Sequence, residues 1–162
     1  MKIAVISDTH LTAQQSFPSN IINCLKDVDL ILHAGDIVEL NTLREIEKYK
    51  PVIAVSGNMD SADIKRLLPE KRLLDFCGFK IGLMHGHGPA YSVLDQVKDE
   101  FKTEENLSCV IYGHSHAPCI TNIGGVIYLN PGSLTDKVYA PYNSYAILDI
   151  GKKIKAKIIK IA

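Results

Sequence analysis

Five short apolar runs in this chain each stop at a side chain that binds metal ions well, and that repetition constrains the fold more than any other feature. The runs cover 2–7, 30–34, 51–56, 79–84 and 108–112, and they stop at Asp8 with His10, at Asp36, at Asn58, at His85, and at His114 with His116. Their Ile, Val and Leu content and their brevity fit strands buried on both faces. Gly35, Gly57 and Gly113 directly precede Asp36, Asn58 and His114, and Gly86 follows His85. The backbone can therefore turn sharply where a bulkier residue would block an approaching ligand. Such a layout collects metal-seeking groups at one end of a sheet.

Between the runs, the spacing predicts helices. Ile21, Ile22, Leu25 and Val28 recur at helical intervals over 16–28, with Pro18 or the nearby serines suited to the first turn. Leu40, Leu43 and Ile46 repeat the arrangement, with Thr42 and Glu45 spaced as in a capping box. A shorter helix is expected over 62–68, and a longer one over 90–101 with Val93, Leu94, Val97 and Phe101 on its buried side. Strand, helix, strand implies parallel neighbours. A strand over 73–76 joins the 79–84 run through Cys77 and Gly78, and hairpins are expected around Gly124–Gly125 and Gly151–Lys152. Together these features predict an α/β fold of two packed mixed sheets with helices on their outer faces.

At 162 residues the chain fits one domain, 1–162, with a substantial core. Lys and Arg number 18 against 18 Asp and Glu, so the broad basic surface that gives non-specific affinity for nucleic acid is missing. Lys153, Lys155 and Lys157 alternate with Ile154, Ala156 and Ile158, which reads as the solvated face of an edge strand. Cys24, Cys77, Cys109 and Cys119 are scattered, which predicts buried free thiols in a reducing compartment. The first apolar run is too short for a leader or a membrane span, so the expectation is a cytoplasmic protein without a membrane partner.

The residue types at the strand ends suit a pair of divalent ions. Asp36 is the chosen bridge, since a dinuclear site needs a carboxylate able to offer an oxygen to each ion. Asp8 and His10 lie one residue apart and would share a side of an extended strand. The expected division places Asp8, His10, Asp36 and His116 on one ion, and Asp36, Asn58, His85 and His114 on the other. Four positive charges then meet two carboxylates and a bridging hydroxide, leaving a cationic site that favours a small phosphate ester over an amide or a neutral sugar. Imidazole-rich ligation selects manganese, iron, zinc, cobalt or nickel over calcium or magnesium.

These motifs, Asp8-Thr9-His10, Gly35-Asp36, Gly57-Asn58, His85-Gly86-His87 and Gly113-His114-Ser115-His116, resemble the calcineurin-like metallophosphoesterase superfamily. With Gly57-Asn58-Met59-Asp60 and Asn130-Pro131-Gly132-Ser133, nearly the whole chain is similar to the small prokaryotic phosphodiesterases of the YfcE-like group. The resemblance implies a four-layer α/β/β/α sandwich and metal-dependent hydrolysis of phosphate esters, chiefly diesters. It also implies manganese or nickel as usual metals, with an ion-bridging hydroxide as nucleophile. Asp36, Asn58, His85 and His87 are the catalytic candidates. In many members a His follows the motif asparagine and protonates the leaving group; here Met59 stands in that place, so His87 is the substitute candidate.

Two rivals accompany this reading. A retromer subunit has a similar fold and a stretch similar to 78–87, which suggests a protein-binding scaffold. A phosphomonoesterase or a nuclease could share the same site, and association into a homo-oligomer is compatible with the sequence. Around the site, His33 and Asp60 are expected to orient neighbours rather than bind metal. Cys119 is not needed as a ligand, Asn130-Pro131-Gly132 suits a turn near the cleft, and Tyr139 and Tyr142 suit packing.

Overall fold

A computed structural model describes residues 1–12, 17, 19–136 and 138–161, with the backbone alone at 19, 20 and 24. Pro18, the serine at 16 where the first helix was expected to begin, and the Cys24 thiol lie outside what is described. The first sheet contains β1 (Lys2–Ile6), β2 (Leu30–His33), β3 (Val52–Ala54), β9 (Ser144–Ile150) and β10 (Ile154–Lys160), in the order β10-β9-β1-β2-β3. The second contains β4 (Lys71–Phe76), β5 (Phe79–Met84), β6 (Leu107–Ile111), β7 (Cys119–Ile123) and β8 (Val126–Asn130), in the order β4-β5-β6-β8-β7. Both sheets are mixed. The strands β1, β2 and β3 run parallel while β9 joins β1 antiparallel, and β5, β6 and β8 run parallel between the antiparallel edge strands β4 and β7.

Alternation along each strand builds the layers. Ile3 and Val5 of β1 meet Ile81, Leu83, Cys109, Ile111 and Leu129 in a core between the sheets, whereas Ala4 and Ile6 turn outward onto Ile21 and Leu25 of α1 (Ser19–Leu25). On the far side, Met84, Val110 and Tyr128 meet Val93 and Val97 of α4 (Val93–Glu100) and Phe101, which caps that helix. The fold is therefore a four-layer α/β/β/α sandwich. Phe101 is buried against Gly82, where an added Cβ would approach its ring to 2.5 Å. Burying a side chain of this size contributes roughly 1.5–3 kcal/mol, and the missing side chain at 82 makes the room for it.

Residues 90–92 form a 3₁₀ turn leading into α4, so the helix expected over 90–101 begins in tighter geometry. The capping box is not formed: α2 (Leu40–Glu47) begins after Glu39, which makes no side-chain capping bond, and Thr42 donates instead to Leu11 O at 2.8 Å. That tertiary partner outcompetes the local one. The short α3 (Ala62–Leu67) packs Ile64 with Leu43, Ile37 and Ala54. Cys109 is buried and burial pushes its thiol up to about 12, but Cys77 is exposed in the β4–β5 turn, contrary to the expectation of buried thiols. Lys155 and Lys157 occupy the exposed face of β10, an edge strand. Among the described residues, no helix is long and apolar enough to cross a membrane.

Candidate metal centre

The segments following β1, β2, β3, β5 and β6 converge, as ligand crevices do outside the carboxyl ends of parallel strands. They do not converge as extended chain. Asp8, His10, Asp36, His114 and His116 all have left-handed backbone, with φ of 51°, 42°, 56°, 67° and 55°. The expectation that Asp8 and His10 share one side of an extended strand is thus replaced: β1 ends at Ile6, and left-handed backbone at both residues brings the two together. A non-glycine residue in that region costs roughly 1–2 kcal/mol, and such strain concentrates at functional sites.

Backbone and loop bonds hold the turns. Asp8 N donates to Gly35 O at 3.1 Å, His10 N to Asp36 O at 3.3 Å and His114 N to the Asp8 carboxylate at 3.1 Å. Asp60 accepts from Val38 N at 2.5 Å and Gly57 N at 2.7 Å, tying the Asp36 and Asn58 loops together. Burial holds its carboxyl above the usual range despite those two donors. Gly57 is required by close approach, since a Cβ there would lie 2.2 Å from Asp36 Oδ1.

The functional atoms lie within a few ångströms of one another. His116 Nε2 is 3.2 Å from Asp8 Oδ1 and 3.2 Å from His10 Nε2. His10 Nε2 is 3.8 Å from Asp8 Oδ1 and 3.7 Å from Asp36 Oδ2. His85 Nε2 is 3.3 Å from Asp36 Oδ2 and 3.1 Å from Asn58 Oδ1, and His114 Nδ1 is 2.9 Å from the same Asn58 oxygen. The structure thus brings together Asp8, His10, Asp36, Asn58, His85, His114 and His116, with Asp36 Oδ2 lying between His10 and His85.

Outer bonds aim the ring nitrogens. His85 Nδ1 donates to Ala34 O at 2.7 Å, and His114 Nε2 donates to Gly88 O at 2.7 Å. His116 Nδ1 donates to Asp136 at 2.6 Å. In each ring the remaining nitrogen faces the cluster, the arrangement expected of ligating histidines. Asp136 had no place among the sequence candidates, because it lies outside the strand-end pattern; its position shortly after Asn130-Pro131-Gly132-Ser133 was the available hint.

Electrostatics follow from this crowding. Burial opposes the charge of Asp36, but the His85 hydrogen bond and charge, the Met59 N–H and His10 outweigh it and bring its carboxyl below the usual value. Burial likewise opposes a charged His85, yet Asp36 and Asp8 raise its pKa. For His116 burial is outweighed by Asp8 and Asp136, and the value rises to about 9. Asp8 Oδ1 is buried and lacks a hydrogen-bond donor among the described residues. An unpartnered buried carboxylate oxygen surrounded by imidazoles calls for a cation. Asp8, His10 and His116 form one group suited to an ion, and Asp8, Asp36 and His85 another. The donor set therefore fits divalent transition metals.

His33 is buried and braces its neighbours, as expected, without joining the cluster. Its Nε2 lies 3.2 Å from Thr9 Oγ1 and its Nδ1 accepts from Gly35 N at 3.2 Å, while burial pushes its pKa down to about 3. Asn130 donates to Gly113 O and Ser115 Oγ, each at 2.9 Å, bracing the loop before His116. Cys119 contacts Thr121 rather than the cluster. Tyr139 is exposed, its ring edge-on to His116 at 6.2 Å, and Tyr142 lies beneath Lys160. His87 is exposed and held at two points by Gln96, which accepts from His87 N and donates to its Nε2, each at 3.0 Å.

Known proteins resemble this chain in sequence and fold. A profile described as the calcineurin-like phosphoesterase superfamily domain matches residues 1–153. A probable metallophosphoesterase of Methanocaldococcus jannaschii is 36% identical over 163 residues, covering 99% of this chain and 82% of that protein. A structure described as a novel archaeal phosphodiesterase superposes with a TM-score of 0.76 at 26% identity, over 99% of this chain and 100% of that one. Wild-type Vps29 of Entamoeba histolytica, complexed with Zn²⁺, gives a TM-score of 0.74 at 24% identity over 99% of each chain, a likeness of fold alone.

Proposed function

The chain belongs to the calcineurin-like phosphoesterase superfamily, and from that premise we propose that it hydrolyses small phosphodiesters in the cleft where the five strand-end loops meet. The observation that supports this reading is the buried, donor-less Asp8 Oδ1 faced by the ring nitrogens of His10, His85 and His116. Asp8, His10, Asp36 and His116 would hold one divalent ion, and Asp36, Asn58, His85 and His114 a second. Such a pair supplies an activated water and positive charge against the phosphate oxygens, manganese being the first candidate and nickel, iron, zinc or cobalt the others.

The chain's own residues set the geometry. Met59 N donates to Asp36 Oδ1 at 2.8 Å, which leaves Oδ2 facing both His10 and His85. Ala34, Gly88 and Asp136 each take one ring N–H, so in their neutral form, as a bound ion would require, His85, His114 and His116 present lone pairs inward. His87 is the proposed proton donor to the leaving oxygen. The preference for diesters is supported by the archaeal phosphodiesterase likeness. We place the protein in the cytoplasm, where its cysteines would stay reduced.

Turnover of bis(p-nitrophenyl) phosphate and p-nitrophenyl phosphate, each with Mn²⁺, Ni²⁺, Fe²⁺, Zn²⁺ or Co²⁺, tests the reading. The diester should be cleaved faster, and Asp36→Asn should lower the rate at least about a hundredfold, as loss of a group stabilising transition-state charge does. No turnover with any of these ions would leave a binding protein built on the same fold.

A further inference from the structure

The His116 ring is gripped on the side away from the cluster. Asp136 Oδ2 accepts from His116 Nδ1 at 2.6 Å and also from Tyr139 N and Ala140 N, each at 3.0 Å, while Oδ1 accepts from Val138 N at 2.8 Å. The carboxylate is therefore fixed by its own turn, and the ring is fixed by the carboxylate. Asp136 is held from behind as well: its N–H donates to Ser133 Oγ at 3.0 Å, the same hydroxyl donates to Asp8 O at 2.7 Å, and Asn143 donates to Asp136 O at 2.6 Å. One short segment thus joins the backbone of Asp8 to the ring of His116.

Resting on the reading of the cluster as a metal site, we propose that Asp136 is a positioning residue for that site. It holds the His116 proton on Nδ1, so that Nε2 is the ligating nitrogen and is aimed at the space shared with Asp8 Oδ1 and His10 Nε2. No other acceptor for His116 Nδ1 is found among the described residues. With the acceptor gone, an imidazole is free to rotate or to carry its proton on Nε2, and either change removes a lone pair from the cluster. Asp136 contributes no oxygen to the cluster itself. Its carboxylate also makes the ring more basic, and hence a stronger donor.

The test uses the full chain, with Mn²⁺ as the probe in calorimetric titration. The wild-type chain should bind two ions. Asp136→Asn, whose amide can present an N–H to His116 Nδ1 and so favour the wrong tautomer, should weaken one binding step about 10- to 100-fold and leave the other unchanged. Val138→Ala, on the same turn with an exposed side chain and the carboxylate intact, should bind like the wild type. Affinity of Asp136→Asn within threefold of wild type overturns the proposal, even if the variant melts earlier, because the carboxylate then only shapes the turn.

A second measurement needs no variant. In the wild-type chain loaded with Zn²⁺, long-range proton–nitrogen NMR should show His116 protonated at Nδ1 and bound through Nε2. Ligation through Nδ1 overturns the proposal. Neither readout uses turnover, so a chain that binds ions as described but cleaves no ester refutes the phosphodiesterase reading alone, whereas a wild type that binds no ion refutes both.

Discussion

The imidazoles of His10 and His116 face each other with their Nε2 atoms 3.2 Å apart, and Asp8 Oδ1 lies 3.8 and 3.2 Å from them. Two ring nitrogens at that separation are compatible only if a proton or a cation stands between them and the carboxylate. A cation that binds the folded chain alone stabilises it by mass action, by about 2.7 kcal/mol at a hundredfold excess over its dissociation constant. Saturating Mn²⁺ should therefore raise the melting temperature of the wild type, and EDTA should reverse the rise. The double variant His10→Ala, His116→Ala should lose most of it. An unchanged wild-type melting temperature would show that these atoms hold no ion.

Gly57 has no room for a side chain beside Asp36, whereas Gly151 meets nothing within 4 Å. Gly57→Ala should cost about 1–3 kcal/mol through overpacking, and should weaken metal binding because the displaced atom is a candidate ligand's carboxylate. Gly151→Ala should be neutral or stabilising by up to about 1 kcal/mol. Urea unfolding of both variants decides the matter: equal effects would mean that the Asp36 loop yields easily.

Under the proposed function, His87 would supply the proton that Met59 cannot. General acid catalysis matters most when the leaving alcohol is a poor one, where it contributes about 10²- to 10⁴-fold. His87→Ala should therefore leave bis(p-nitrophenyl) phosphate cleavage within a few-fold of wild type while slowing alkyl diesters at least about tenfold. Equal slowing of both substrates would remove His87 from the proton transfer.

His33 should make the metal-free chain acid-sensitive in a defined window. Its pKa falls from 6.5 to about 3 on folding because burial removes the charged ring from water. Between those values the unfolded chain binds a proton that the folded chain does not, so His33 favours folding fully above pH 6.5 and progressively less as pH falls towards 3. The slope is about 1.4 kcal/mol per pH unit for one proton. Stability of the wild type and of His33→Gln, measured in EDTA from pH 4 to 8, should differ in slope by that amount below about pH 6.5. Parallel curves would mean that the buried ring takes up its proton normally.

Much of the architecture is legible in the amino-acid sequence. Runs such as 79–84 and 108–112 are short and mostly apolar, which suits a buried strand, and β5 and β6 are found there. Gly124–Gly125 marks the β7–β8 hairpin because few other residues accept its backbone, with φ of 59° and 87°. Asp, Asn and His at strand ends announced a metal site through their chemistry alone. These features are local: residue type and spacing act on the nearest few neighbours.

What only the tertiary structure decided is where distant groups meet. Alternation suggested that Asp8 and His10 share a face of an extended strand, but both adopt left-handed turns held by bonds to Gly35 and Asp36. Thr42 left its capping box for Leu11 O. The last hairpin places β9 beside β1, and β8 rather than β7 lies next to β6. Asp136 entered the site only because that packing carries its turn to His116. The amino-acid sequence by itself determined the strands, the helices and the kinds of donor available. Strand order and side-chain-to-backbone bonds across the chain determined which donors converge, because those energies depend on separations in space that periodicity does not encode.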